Sequence, residues 1–398
     1  MGRVAITGCG VVTAAGAELD RLWMDLMAGR CHIGTLRQFS CAGLEVVLGA
    51  EVTFPEAERP ASPRERCGAL VSLAARLALT DAGELPTGGR ERAGVVLGST
   101  MAEERQVSDF NDAWVARGSE QVDGGYYERL DGHRLAAGIA REHGLGGPVM
   151  LAATACSSGN ASVAFAYDLV ASGEAEVMLA GGVDTHTRLI HTGFTRMGAL
   201  SKSVCRPFDR RRDGVSFGEG AGVVVLEDLE RAGRRGARIY AEVLGYGLSN
   251  DAYHITAPEP NGDGFTRSMK QALATSGLST EEVDYVSAHG TGTLYNDLAE
   301  TRAMKAVFGG RAKDIPMSSV KSMLGHTNGA AGSIETVVCA LALSRQAVPP
   351  TANLTEPDPE CDLDYVPLKG RSMPLRTCLN LSAGFGGSAV CLALSRAP

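Results

Sequence analysis

Short runs of apolar, β-branched residues alternate along this chain with longer Ala-rich stretches whose apolar positions recur at helical spacing. RVAITGCGVV (3–12), AGVVLGST (93–100) and PVMLAATACSS (148–158) read as strands. ALVSLAARLALTDAG (69–83) and HRLAAGIAREHG (133–144) read as the helices between them. After residue 230 the theme returns. ARIYAEVLGYGLS (237–249), VDYVSAHG (283–290), IPMSSVKS (315–322) and CLNLSAGFGGSAVCLALS (378–395) are strand-like, whereas GFTRSMKQALATSG (264–277), LAETRAMKAVF (298–308) and GAAGSIETVVCALALSR (329–345) are helical. Such alternation is the signature of βαβ units around a mostly parallel sheet, so the expected class is layered α/β. The expected organisation is an internal duplication, residues 1–230 and 231–398, with the charged, Gly-containing tail of RPFDRRRDGVSFGEGAGVVVLEDLERAGRRG (206–236) as the boundary.

Composition narrows the function classes. With 398 residues, 44% of them apolar, the chain can bury a large core. A formal net charge of −8 argues against a nucleic-acid surface, which needs clustered positive charge. No signal-peptide pattern opens the sequence, Ile6 breaks the myristoylation pattern, and no window of eighteen apolar residues lacks a polar break. The expected location is the cytoplasm, away from membranes. Ten cysteines without a CxxC pair or zinc-like spacing make disulfides and structural zinc unexpected.

Candidate chemistry sits at four Gly-punctuated turns. Cys156 lies between a strand-like run and the helix-like GNASVAFAYDLVASG, so its sulfur is expected at a helix N-terminus, where free N–H groups and the helix dipole would lower a thiol pKa from about 8.5. His289, in SAHGTGT, projects from a strand end, with the hydroxyls of Thr291 and Thr293 placed to bond a thioester arm. His326, in KSMLGHTNGAAG, opens an Ala-rich helix, a setting that favours a neutral imidazole able to donate to a developing enolate oxygen. The Gly-rich turn around Phe385 allows close backbone approach and could line an oxyanion site. GVSFG (214–218) fits a hydrolase nucleophile pattern, but a strand-like run follows Ser216 where a helix is required. GCGVVTAAG is no dinucleotide fingerprint, because Thr13 stands at the third glycine.

Taken in order, TACSSG, RPFDRRRDG with GEGAG, DAYHIT (251–256), SAHGTGT, KSMLGH with GAAG, and GFGG resemble the elongating β-ketoacyl-carrier-protein synthases of dissociated fatty-acid and polyketide systems, from about residue 3 to residue 396. The resemblance implies a thiolase-like duplicated five-layer α-β-α-β-α fold that dimerises, and decarboxylative Claisen condensation. It implies that Cys156 is acylated from an acyl carrier protein, whose phosphopantetheine carries the substrates, and that His289 and His326 bind the malonyl thioester carbonyl. Lys321 and Glu335 would form the family's ion pair, and Cys156 with Phe385 would supply oxyanion-hole N–H groups, Phe385 also gating entry. Thr291, Thr293 and Gly386 are the substrate-binding candidates. No metal or redox cofactor is needed. Arg64, Arg66, Arg206, Arg210 and Arg211 are candidate docking positions for an acidic carrier protein.

The Cys-His-His set differs from initiating and chalcone synthases, which carry Asn at the last position. Ala383 before GFGG, Ser388-Ala389 after it, and Thr327-Asn328 after GH depart from the fatty-acid pattern and lean toward ketosynthase subunits of type II polyketide systems, as a homodimer or paired with a chain-length-factor-like subunit. Two rivals are a non-catalytic chain-length-factor-like partner, which would lack the cysteine, and a degradative thiolase. The latter would need a second cysteine near the C-terminal turn, where only Ser382, Ser388 and, farther on, Cys391 occur.

Overall fold

A computed structural model describes residues 2–62, 65–83, 90–118 and 131–397. Ten strands form its main sheet: β1 (Val4–Val12), β2 (Ala93–Gly98), β3 (Val149–Ala152), β4 (Val177–Asp184), β5 (Gly220–Asp228), β6 (Ala241–Asn250), β7 (Tyr285–Ser287), β8 (Met317–Ser318), β9 (Thr377–Ala383) and β10 (Ser388–Arg396). The helices that matter for the site are α1 (Leu19–Met27), α2 (Arg66–Ala82), α3 (Glu104–Arg117), α4 (His133–His143), α5 (Ser158–Ala171), α6 (Arg188–Arg196), α7 (Asp263–Ser276), α8 (Leu294–Phe308) and α9 (Ala331–Arg345).

The sheet order is β8-β7-β9-β10-β6-β1-β5-β4-β2-β3. Counted from either edge inward, each set of five strands runs third, second, fourth, fifth, first in its own chain order. Directions repeat as well, with the second strand parallel to the third and fourth, and the fifth antiparallel to the fourth and first. The sets join where Val4 pairs with Val243 and Ile6 with Ala241 in antiparallel register.

Strands covered on both faces read as near-continuous apolar runs, and all nine residues of β1 are buried, with Thr7 its one polar side chain. The two halves fold over a shared middle layer of α5 and α9, which packs on β4, β5 and β9 in one core. An outer layer of α2 and α4 covers β1 and β2, and α7 and α8 cover the other half around Phe265, Met269, Met304 and Leu379. The layers therefore run α-β-α-β-α. The glycines of GCGVV serve this packing. A Cβ at Gly8 would stand 2.3 Å from the Ala78 carbonyl oxygen, and one at Gly10 would stand 1.9 Å from that of Ala74, so α2 lies directly on the strand.

Three helices escape the apolar pattern. α1 and α6 are nine residues long, and α3 is polar enough (ERQVSDFNDAWVAR) that no stripe stands out. Residue 216 leads into β5, so Ser216 sits before a strand, its hydroxyl accepting from Cys205 N at 3.0 Å. Among the described residues, no helix is long and apolar enough to cross a membrane, and no group of three or more His, Cys, Asp or Glu is placed to hold a metal ion.

Candidate active site

Cys156 stands on the turn between β3 and α5. Ala155 takes a left-handed φ of 52°, unusual for a residue with a Cβ, and the turn is locked where the Thr154 N–H donates to Ser158 Oγ at 2.9 Å. The sulfur lies just before the helix N-terminus, as the sequence suggests, yet its thiol is not acidified. Burial, with the nearby Asp184 carboxylate as a second cause, pushes it up to about 12, outweighing Lys321 and the local backbone N–H. The expected low pKa is thus corrected: a helix end stabilises a thiolate only when desolvation does not cost more.

His289 follows β7. Its N–H and that of Gly290 donate to the two oxygens of Glu300 on α8, at 2.7 and 2.6 Å. Burial, reinforced by Asp297, pushes Glu300 up to about 8. His326 is clamped by backbone bonds, its N–H donating to Ser216 O at 2.8 Å and its carbonyl accepting from Gly218 N at 3.0 Å. The two imidazoles meet edge to face, with ring centroids 5.4 Å apart and planes at 87°. Burial and the Lys321 charge hold both well below the ordinary imidazole range, so both rings are neutral. Lys321 pairs with Glu335 in a fully buried ion pair. Burial raises Glu335 to about 7, and Lys321 opposes that rise.

Cys156, His289 and His326 line one cavity of about 340 Å³ together with Thr291, Thr293, Gly384, Phe385 and Ser388. The Thr291 and Thr293 hydroxyls lie 2.8 Å apart. A Cβ at Gly384 would stand 2.9 Å from Cys156 N, so the Gly-rich turn lies against the cysteine backbone. Phe385 is 40% exposed at the mouth and stacks on Phe194 with centroids 5.3 Å apart; Phe194 meets Phe217 edge-on at 4.5 Å, and Phe217 stacks on His326.

Other candidates lie elsewhere. Gly386 does not line the cavity. Its N–H donates to Ile255 O at 2.9 Å and its carbonyl accepts from Asn250 Nδ2 at 2.8 Å, which corrects its expected substrate contact to a tie to the 250–259 loop. Arg66 is corrected too: its guanidinium bonds the buried Glu219 and the Val52 carbonyl, a cation already neutralised inside the fold. Arg210 and Arg211 are exposed but share Glu356, and Arg206 donates to Ser203 Oγ at 2.9 Å. Arg64 lies outside the described residues. Cys391 is buried in the outer core with Leu381 and Ala393, and does not line the cavity. Sequence reasoning missed Asp184, whose oxygens accept from Ser99 Oγ at 2.6 Å, Thr100 N at 2.9 Å and Gly329 N at 2.6 Å. It also missed Glu300. Neither stands in a distinctive local motif, since each acts on backbone brought to it by the fold.

Residues 1–232 match the family model described as beta-ketoacyl synthase, N-terminal domain, and residues 240–355 the corresponding C-terminal domain. The chain is 38% identical to the 3-oxoacyl-[acyl-carrier-protein] synthase 2 of Synechocystis sp., with 99% of this chain and 98% of the relative covered. It is likewise 38% identical to the tetracenomycin polyketide synthase ketoacyl synthase alpha subunit of Streptomyces glaucescens, with 99% and 97% covered. Among solved structures it is similar to one titled the ishigamide ketosynthase/chain length factor, with a TM-score of 0.94, 38% identity and both chains covered in full. A type II polyketide acyl-carrier protein complexed with its ketosynthase, bound to the hexaketide, is similar with a TM-score of 0.92 and 31% identity, again over 100% of both chains.

Proposed function

The chain belongs to the β-ketoacyl synthase family, and from that premise we propose that its cavity joins acyl units by decarboxylative Claisen condensation, with Cys156 as the acyl carrier within the enzyme. The observation that carries this reading is the single cavity shared by Cys156, His289 and His326.

In the first half-reaction Cys156 Sγ attacks the carbonyl of an acyl thioester carried by the phosphopantetheine of an acyl carrier protein. Because the resting thiol is protonated, its proton passes to a neutral imidazole of the cavity as the C–S bond forms. The Cys156 and Phe385 N–H groups hold the oxyanion, and the departing carrier thiolate takes the proton back. In the second, a malonyl thioester enters and the neutral His289 and His326 donate to its carbonyl oxygen. Loss of carbon dioxide then leaves an enolate where donors already point. Its carbon attacks the acyl-Cys156 carbonyl, the new C–C bond forms as the C–S bond breaks, and the cysteine sulfur leaves as a thiolate that takes up one proton from solvent, the original one having left with the carrier thiol. Burial keeps both imidazoles neutral, and Lys321, paired with Glu335, pushes the same way with its positive charge. Thr291 and Thr293 hold the pantetheine arm, and Phe385 gates the mouth. No bound cofactor enters the sequence.

An acyl carrier protein and a second subunit, either another copy or a chain-length-factor-like chain, are the partners, in keeping with the similar ketosynthase/chain length factor and carrier-protein complex. Arg206, Arg210 and Arg211 remain the docking candidates. We divide the chain near residue 230 on the repeated strand order, and place its action in the cytoplasm. A polyketide chain is favoured by the small Ala383, which lines the cavity where the fatty-acid pattern carries a second Phe. The presence of Cys156 disfavours a non-catalytic partner, and the placement of Cys391 in the core disfavours a thiolase.

Cys156→Gln is the decisive variant. Condensation is expected to vanish while decarboxylation of malonyl-carrier protein, followed by carbon dioxide release, persists. A variant inert in both assays, or intact-mass detection of the acyl adduct on another residue of the wild type, overturns the assignment.

A further inference from the structure

We propose that Ser388 is a positioning residue for acyl transfer: its hydroxyl pins the Gly-rich turn of the C-terminal half to the nucleophile turn of the N-terminal half and so sets the spacing of the two oxyanion N–H groups. The inference rests on the condensing reading above and deepens it.

Ser388 Oγ donates to the Thr154 carbonyl at 3.0 Å and lies 3.0 Å from Ser157 Oγ, across more than two hundred residues of chain in both cases. Ser157 Oγ in turn donates to the same Thr154 carbonyl at 2.7 Å. Three hydroxyl and carbonyl oxygens thus form one small knot, and the residues flanking it, Thr154 and Ser157, bracket Cys156. On the other side Ser388 closes its own turn, since the Gly384 N–H donates to the Ser388 carbonyl at 2.8 Å. Phe385 is carried inside that closed turn, one peptide after Gly384. The fit leaves no slack: a Cβ at Gly384 would stand 2.9 Å from Cys156 N, from Thr154 O and from the Ala155 Cβ. Backbone packing limits how near the two turns can come. The Ser388 hydroxyl limits how far they can part.

A spacing held this way matters because an oxyanion donor acts only within a few tenths of an ångström of its ideal distance. Ala155 in its left-handed φ of 52° would relax most readily if a restraint on its neighbours were removed. Ser388 acts here without touching the reacting carbonyl. Its hydroxyl is spent on the knot, although the residue also lines the cavity.

The test compares Ser388→Ala and Ser388→Thr with the wild type in two reactions of the same sulfur. Acyl loading of Cys156 from an acyl-carrier protein, timed by intact mass, builds a tetrahedral oxyanion. Alkylation by iodoacetamide is a direct displacement that builds none. For Ser388→Ala we expect loading to slow roughly 10-fold, a misplacement effect smaller than the 100-fold or more of losing a donor outright, with alkylation within about twofold of the wild type. Ser388→Thr, which keeps the hydroxyl, is expected to restore loading to within about threefold of the wild type. Loading by Ser388→Ala at the wild-type rate overturns the proposal. So does an equal fall in loading and alkylation, which marks collapse of the cysteine turn rather than loss of oxyanion alignment. A wild-type chain that never loads Cys156 overturns the condensing reading itself, an outcome separate from either of these.

Discussion

Burial decides the protonation states of the residues that matter most. The Cys156 thiol, held up to about 12, is neutral at physiological pH, and the neutral imidazoles of His289 and His326 share its cavity. The linkage has a definite sign. A thiol whose folded pKa is raised gains thiolate only as pH climbs far above neutrality, so alkylation by iodoacetamide is expected to rise about tenfold per pH unit from 7 to 9 without levelling. A plateau beginning near pH 7 contradicts this and shows a thiolate stabilised by the helix end after all. Cys156 was conspicuous in the sequence because a reactive thiol needs a turn before a helix, and TACSSG announces one. Its pKa was not, because desolvation depends on what the rest of the chain packs around the sulfur.

Glu300 shows how an element can hold the loop that carries the proposed catalytic His289. It projects from α8 and accepts from His289 N, Gly290 N and Asn296 Nδ2, so that helix fixes the turn that aims the imidazole. Its folded pKa of about 8 exceeds the usual carboxylate value, and the proton-bound form is therefore the one folding favours. That stabilisation is complete below about pH 4.5 and is lost as pH rises through about 8, by up to about 1.4 kcal/mol per pH unit in between. Glu300→Gln removes the titration but also one acceptor. It should be less stable than the wild type at pH 6 by denaturant unfolding, with the gap narrowing by pH 9; a gap that widens with pH reverses the sign and sinks the argument. Long strands such as β1, β5 and β10 were legible because strands covered on both faces are near-continuous apolar runs. The helix α3 was not, since Trp114 and Val115 point outward and leave no stripe. His289 and His326 were legible from the glycines beside them. Glu300 and Asp184 were not, because each is defined by partners that only the fold brings near.

At the scale of the whole molecule, the proposed catalysis requires two helices from opposite halves to approach closely. α5 follows Cys156, α9 follows His326, and the two lie together in the middle layer. Their contact is built on missing side chains. A Cβ at Gly159 would stand 2.5 Å from Ser333 N and 2.8 Å from Gly329 O, and one at Gly332 would stand 2.7 Å from Asn160 N. These are backbone neighbours, which cannot rotate away. Beside them the Asn380 amide donates to Asn160 Oδ1 at 2.9 Å, to Gly332 O at 3.0 Å and to Thr336 Oγ1 at 3.0 Å, tying β9 to both helices. A methyl group at residue 159 therefore has to push α9 away, and with it the start of the segment that carries His326. Overpacking of this kind costs about 1–3 kcal/mol. Gly159→Ala is expected to lower the midpoint of thermal unfolding by several degrees and, in the fraction that stays folded, to lower condensation by more than it lowers alkylation of Cys156. The sulfur keeps its own turn while the imidazole it must face is displaced. Equal losses in the two reactions would mean that the halves yield as separate bodies and that the shared helix layer does not set the distance between them.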